Sequence, residues 1–143
     1  MQDEVALENF GKSALDAVAL GIEETKGMHL ATMPSVNLLI GLQLQYGEEE
    51  RFLRENGITI ELVRRSRDNM FKGAMKPNRP DVVNFAPITV ESFDLARREA
   101  KKKLVTSREL LLGVLRKQGG VAAQIIISLN TTPRDLYSKL LMQ

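Results

Sequence analysis

A chain that carries one helical motif twice has two similar apolar faces to bury, and burying them against each other is the economical solution. Leu38-Leu39-Ile40-Gly41-Leu42 returns as Leu110-Leu111-Leu112-Gly113-Val114, 72 positions later. Self-similarity at half-chain spacing constrains the architecture more than any local propensity does. The likeness continues downstream, where Phe52 to Arg64 and Ile125 to Leu136 each close an apolar helical run on a residue tolerant of a left-handed backbone, Gly57 or Asn130. A Thr then restarts the helix. Upstream, Phe10 to Thr25 and Ile88 to Ala100 read as amphipathic helices feeding a loop.

Helical periodicity runs through the remainder. Phe10, Ala14, Ala17, Val18, Gly21 and Ile22 share one face of a first helix. Ser35 is placed to cap a second, which buries Leu38, Leu39 and Leu42 and ends near Gly47. Glu48 to Asn56 forms a third, with its acids in the first turn where the helix dipole favours them and Gly57 as its stop. Thr59 caps a fourth that carries Ile60, Val63, Met70 and Phe71. In the second half Thr89 caps a helix with Phe93, Ala96, Ala100 and Leu104 on one face, and Ser107 caps the next. Gly119-Gly120 breaks that helix, and Ala122, Ile125, Ile126 and Leu129 line the following one. Thr132-Pro133-Arg134-Asp135 opens the last, whose core face is Leu136, Leu140 and Leu141. No strand competes, because Val82-Val83 lies among prolines and Ile125-Ile126-Ile127 fits a helix face.

Helices this short do not persist alone. The expectation is therefore an all-α fold, a pseudo-twofold eight-helix bundle made of two four-helix repeats. It occupies one domain over residues 1–143, with repeat one at about 8–72, a proline-containing linker at about 73–87 and repeat two at about 88–143.

Residues able to do chemistry are scarce. There is no cysteine, which removes disulfides, thiolate metal sites and a cysteine nucleophile. The single histidine, His29, lies in a loop without a partner at ligand or dyad spacing and is assigned a loop or packing role. No nucleophile elbow or phosphate-binding loop occurs, and Gly119-Gly120 lacks the lysine and hydroxyl that nucleotide phosphates require. The reading is a protein that is not an enzyme, with no catalytic, cofactor-binding or metal residue and no cofactor. Twenty Lys and Arg stand against 18 Asp and Glu. The stretches Arg64-Arg65-Ser66-Arg67 and Arg97 to Lys103 are interleaved with acids and lack stacking aromatics, so they are read as solvated helix faces, with an acidic protein partner as the alternative, and not as a nucleic-acid surface. No apolar run approaches the length of a membrane span, and no leader precedes the first helix, so any targeting peptide is expected to have been removed.

Together these residues resemble the repeat of the Clp N-terminal domain, which heads the Hsp100 unfoldases that feed the Clp protease. The resemblance runs from Phe10 through Glu23-Glu24 to Leu38-Leu39-Ile40-Gly41-Leu42 and resumes at Gly57-Ile58; in the second copy it is densest at Leu110 to Arg116 and Gly120-Val121-Ala122-Ala123. It implies the same eight-helix bundle. In that family a Thr at the repeat start and an acid before the Leu-Leu motif form pockets for phosphoarginine-tagged substrates. Here the acid position holds Val36 and Arg108, and the Thr position is assigned to Gly11 and Thr89. Valine removes the charge-assisted acceptor a guanidinium needs and arginine repels it, so that pocket is not carried over.

A Clp repeat domain without an ATPase or that pocket is most similar to the stand-alone accessory subunits of the plastid Clp protease, the ClpT type, and Phe52-Leu53-Arg54-Glu55-Asn56-Gly57-Ile58 resembles theirs in particular. The resemblance implies binding to Clp proteolytic core subunits, supporting core assembly or association with the Clp chaperone ATPase, in the chloroplast stroma; the bacterial cytoplasm is the alternative compartment. The alternative function is the N-terminal substrate- or adaptor-binding domain of a Clp ATPase. Phe71, Met75 and Phe85, apolar side chains in or beside the proline-rich segment, are the candidate partner contacts, with packing back onto the bundle as the alternative. Tyr46 and Tyr137 are assigned to the core, with anchoring an interface as the alternative.

Overall fold

The computed structural model describes residues 5–143. Eight helices of eight or more residues follow one another among them: α1 (Lys12–Gly27), α2 (Ser35–Gln43), α3 (Glu48–Glu55), α4 (Ile60–Met70), α5 (Pro87–Ala100), α6 (Ser107–Arg116), α7 (Val121–Ser128) and α8 (Pro133–Leu141). The all-α bundle of two four-helix repeats is the architecture found. Within each repeat the long first helix packs most extensively on the second, α1 on α2 and α5 on α6. Between repeats, α2 also touches α5, α6 and α7. The doubled motif is the centre: Leu38, Leu39, Leu110 and Leu111 are fully buried.

Two glycines fix how the helices cross. A Cβ on Gly41 would strike the Ala17 carbonyl oxygen, and one on Gly113 would strike the Ser92 carbonyl oxygen. Only a hydrogen lets the paired helices approach this closely. Helix ends follow the expected stops, since Gly57 and Asn130 both have positive φ, at 84° and 69°. Thr59 and Thr132 accept hydrogen bonds from the backbone N–H of Leu62 and Asp135, as helix caps should.

Three other caps differ from expectation. Ser35 is the first helical residue of α2; its Oγ instead accepts from the Ala122 N–H at 3.1 Å, capping α7 in the other repeat. Thr89 lies inside α5, fully buried, and donates to the Met33 carbonyl at 2.9 Å. Thr106, not Ser107, caps α6, in a capping box with Glu109. A hydroxyl near a helix start has several acceptable partners, and here two of them lie across the repeat interface.

The linker is not free. Asn84–Phe85 pairs in parallel with Thr32–Met33 as β2 with β1, a two-residue ladder where no strand was expected. His29 Nδ1 donates to the Lys76 carbonyl at 3.1 Å, and Arg79 bonds Glu23 at 3.1 Å. Leu104, Leu141 and Met70, assigned to core faces, are exposed. For Leu104 the cause is local: α5 stops at Ala100, and Lys101 and Lys102 take left-handed backbones that turn the chain away before the stripe continues. Tyr46, also assigned to the core, is 70% exposed and has a φ of 53°. No single described helix is long and apolar enough to cross a membrane.

Candidate protein-interaction site

The two glycine crossings set the register between repeats. Gly41 lies against Ala17 and Gly21, Gly113 against Ser92 and Ala96, so Ala17 corresponds to Ser92 and Gly21 to Ala96. Running back along α1 and α5 pairs Gly11 with Ala86, which are the two N-cap residues, and Phe10 with Phe85. Thr89 therefore corresponds to Ala14, three residues away from the position the sequence assigned to it. At the repeat start the chain offers Gly11 and Ala86, and neither has a hydroxyl. The acid positions lack carboxylates too: Val36 is fully buried, and Arg108 is half-buried with no side-chain hydrogen bond or ion pair among the described residues.

Of the three candidate partner contacts, two are held by the bundle. Phe85 packs its ring edge-to-face on Phe93 at 5.1 Å, as Phe10 does at 5.3 Å from the other repeat. Phe71 is half-buried against the same core. Met75, at 56% exposed, is the one that stands out into solvent. The structure thus separates Met75 from Phe71 and Phe85 and does not gather the three into one exposed patch.

A polar cluster that sequence reasoning missed joins the ends of α1 and α4. Arg67 was assigned to a solvated face, yet its side chain is 7% exposed. It donates to Glu24 at 2.5 Å, to Asn37 at 3.2 Å and to Asp68 at 2.9 Å. Arg64 bonds the other Glu24 oxygen. Asn37 in turn donates to Thr25 at 3.0 Å, and Thr25 to the Gly21 carbonyl at 2.8 Å. Burial pushes the Glu24 carboxyl up, but the hydrogen bonds and charges of Arg64 and Arg67 outweigh it and hold it below the ordinary glutamate value. The usable signal was the i, i+3 spacing of Arg64 and Arg67 on the face that carries Ile60 and Val63.

The equivalent place in repeat two is built differently. Glu99 takes the hydroxyl of Tyr137 at 2.6 Å and Arg116 at 3.2 Å. The Glu99 hydrogen bond, then burial, raises the Tyr137 pKa above its usual value, because the carboxylate favours the neutral phenol. Among the described residues no three His, Cys, Asp or Glu side chains come together as a metal site. Such an arrangement can hold helices and present surfaces.

By sequence, no family model and no curated protein matches the chain. Solved structures do. The N-terminal domain of the caseinolytic-protease-associated chaperone ClpD from Arabidopsis thaliana superposes with a TM-score of 0.77 at 18% identity, over 95% of this chain and 94% of that one. The chain has the fold of a Clp chaperone N-terminal domain. The Hsp104 N-terminal domain from Candida albicans shares that Clp N-domain fold, with a TM-score of 0.74 at 15% identity over 94% and 90% of the two chains. So does a structure from a malarial protein secretion system, at 0.73 and 15% over 94% and 93%. Gly11, Val36, Ala86 and Arg108 are thus set in a fold that matches a Clp chaperone N-terminal domain over nearly the whole chain.

Proposed function

We propose that this chain is a non-catalytic protein-recognition domain that works as the N-terminal domain of a Clp ATPase, binding protein substrates or adaptors for it. The observation that supports this reading is the superposition on a chaperone N-terminal domain over nearly the whole of both chains. The physical character of the bundle agrees with it. Preformed helix faces, pinned by glycine crossings and cross-repeat hydrogen bonds, lose little conformational entropy when a partner docks.

A second reading is a ClpT-type accessory subunit that binds the Clp proteolytic core. One observation favours it: Val36 and Arg108 leave neither repeat with the carboxylate of the substrate pocket. Under either reading the proposed compartment is the plastid stroma, with the bacterial cytoplasm as alternative.

Retention on the immobilised chain separates the two. Purified proteolytic core, an N-domain-deleted Clp ATPase and an unfolded protein such as casein are offered one at a time. The main reading expects casein to be retained and the core to pass through; retention of the core alone overturns it in favour of the accessory subunit.

A further inference from the structure

The pseudo-twofold relation provides an internal comparison of surfaces. A cleft of about 460 Å³ lies in repeat two where the end of α6, the outer side of α7 and the start of α8 meet. Its counterpart in repeat one, about 360 Å³, is lined by the equivalent positions. Aligning the Thr59 and Thr132 caps pairs Glu50 with Ala123, Arg54 with Ile127, Glu61 with Arg134 and Arg64 with Tyr137. The fold makes a corresponding depression in each repeat, and Leu115, Arg116 and Gln118 line only the one in repeat two.

In repeat one the arginines that line the cleft are both paired. Arg54 Nε donates to Glu50 at 2.8 Å, and Arg64 is held by Glu24. In repeat two that charged pair is replaced by Ala123 and Ile127. Ile127 is 58% exposed although its neighbours Ile125 and Ile126 are in the core. Leu115 and Pro133 extend the apolar lining, and the Tyr137 hydroxyl is already bonded to Glu99. The rim is cationic. Arg116 is there, though ion-paired with Glu99 at 3.2 Å, and Arg134, exposed and without an ion pair among the described residues, reverses the sign of Glu61. Arg134 also stands in the first turn of α8, where the helix dipole adds to its field. An isolated exposed isoleucine means little. One that lines an apolar cleft under an unpaired arginine, where the twin cleft carries the Glu50–Arg54 salt bridge instead, has the makings of a docking surface.

We propose that the α6–α7–α8 cleft of repeat two is a docking site for an acidic protein segment. An apolar side chain of that segment seats on Ala123, Ile127 and Pro133, and its carboxylates meet Arg134. This deepens the recognition reading and rests on it, naming one surface and the chemistry it takes.

The probe is a fluorescein-labelled decapeptide alternating Glu with Leu, read by anisotropy against the chain. Two control peptides replace Glu by Lys or Leu by Ser. The Glu/Leu peptide is expected to bind and both controls to bind at least about tenfold more weakly. Ile127→Ser and Arg134→Glu, both exposed positions, each weaken binding about tenfold, while Glu61→Arg in the twin cleft leaves it unchanged. The proposal is overturned by equal binding of either control peptide, by unchanged affinity in both variants, or by a Glu61→Arg effect as large as theirs. It is also overturned if the chain self-associates through a contact that Ile127→Ser abolishes, since the occupant is then a second copy. Casein binding that persists in both cleft variants sinks the cleft and spares the recognition reading; absence of all casein binding with intact peptide binding does the reverse.

Discussion

Arg67 and Glu24 lie 43 positions apart in sequence and 2.5 Å apart in space, with the arginine side chain almost wholly buried. The pair ties the last helix of repeat one to the first, at the point where repeat two uses Tyr137 and Glu99 instead. With the caps aligned, Arg67 corresponds to Leu140, so the buried arginine of one repeat is replaced by a buried leucine in the other. Breaking a buried ion pair on one side leaves an uncompensated charge, whereas replacing both sides need not destabilise.

Glu24→Gln is accordingly expected to destabilise the fold by about 3 kcal/mol. The double variant Glu24→Gln with Arg67→Leu, which imitates Leu140, should recover at least about 1 kcal/mol relative to the sum of the singles. Urea unfolding of the four proteins measures both; strict additivity would mean that the pair is not coupled.

The same carboxylate sets an acid limb. Its folded pKa lies below 4.5, so the stability it contributes is present above that value and is lost as pH falls through the folded pKa. Thermal melts on the acid side of pH 4.5 should show a steeper loss for the wild type than for Glu24→Gln. Tyr137 acts at the other end: its folded pKa is raised above 10.0, so its contribution is present below that value and is lost as pH rises through the folded pKa. Tyr137→Phe should flatten the alkaline limb.

Gly41→Ala and Gly113→Ala each force a methyl into the backbone of the partner helix. Each is expected to cost at least about 1–3 kcal/mol, the range for overpacking a close contact. Gly27→Ala is the control, because nothing lies within 4 Å of its added Cβ, and it should be neutral or stabilising by up to about 1 kcal/mol. Equal effects at the three positions would contradict the close crossing.

Ser35→Ala removes the cap that one repeat provides to α7 in the other. A loss of about 1 kcal/mol is expected, with hydrogen exchange quickened most at the Ala122 amide. Unchanged protection there would show that the cross-repeat bond contributes nothing.

What could be read from the sequence was whatever repeats at short range. The Leu-Leu-x-Gly pairs, the Gly57 and Asn130 stops and the Thr59 and Thr132 caps depend on neighbouring residues, and each stands where the periodicity put it. Contacts between distant segments were not legible. Nothing near Ser35 or Thr89 says that its hydroxyl serves the other repeat, and nothing near Arg67 names Glu24. The alignment of Thr89 with Gly11 slipped by three because one helical turn nearly restores the apolar face, and only the glycine crossings resolve it. The cleft in repeat two was hidden for the same reason. Ile127 reads as part of an apolar run until its twin, Arg54, is seen bound to Glu50.

The most direct measurement for the central claim is a titration of fluorescein-labelled casein with the chain, read by anisotropy, with the proteolytic core titrated in parallel. A protein-recognition domain of the Clp chaperone type should give saturable casein binding and no core binding. Flat anisotropy with casein, together with saturable binding of the core, would contradict that account.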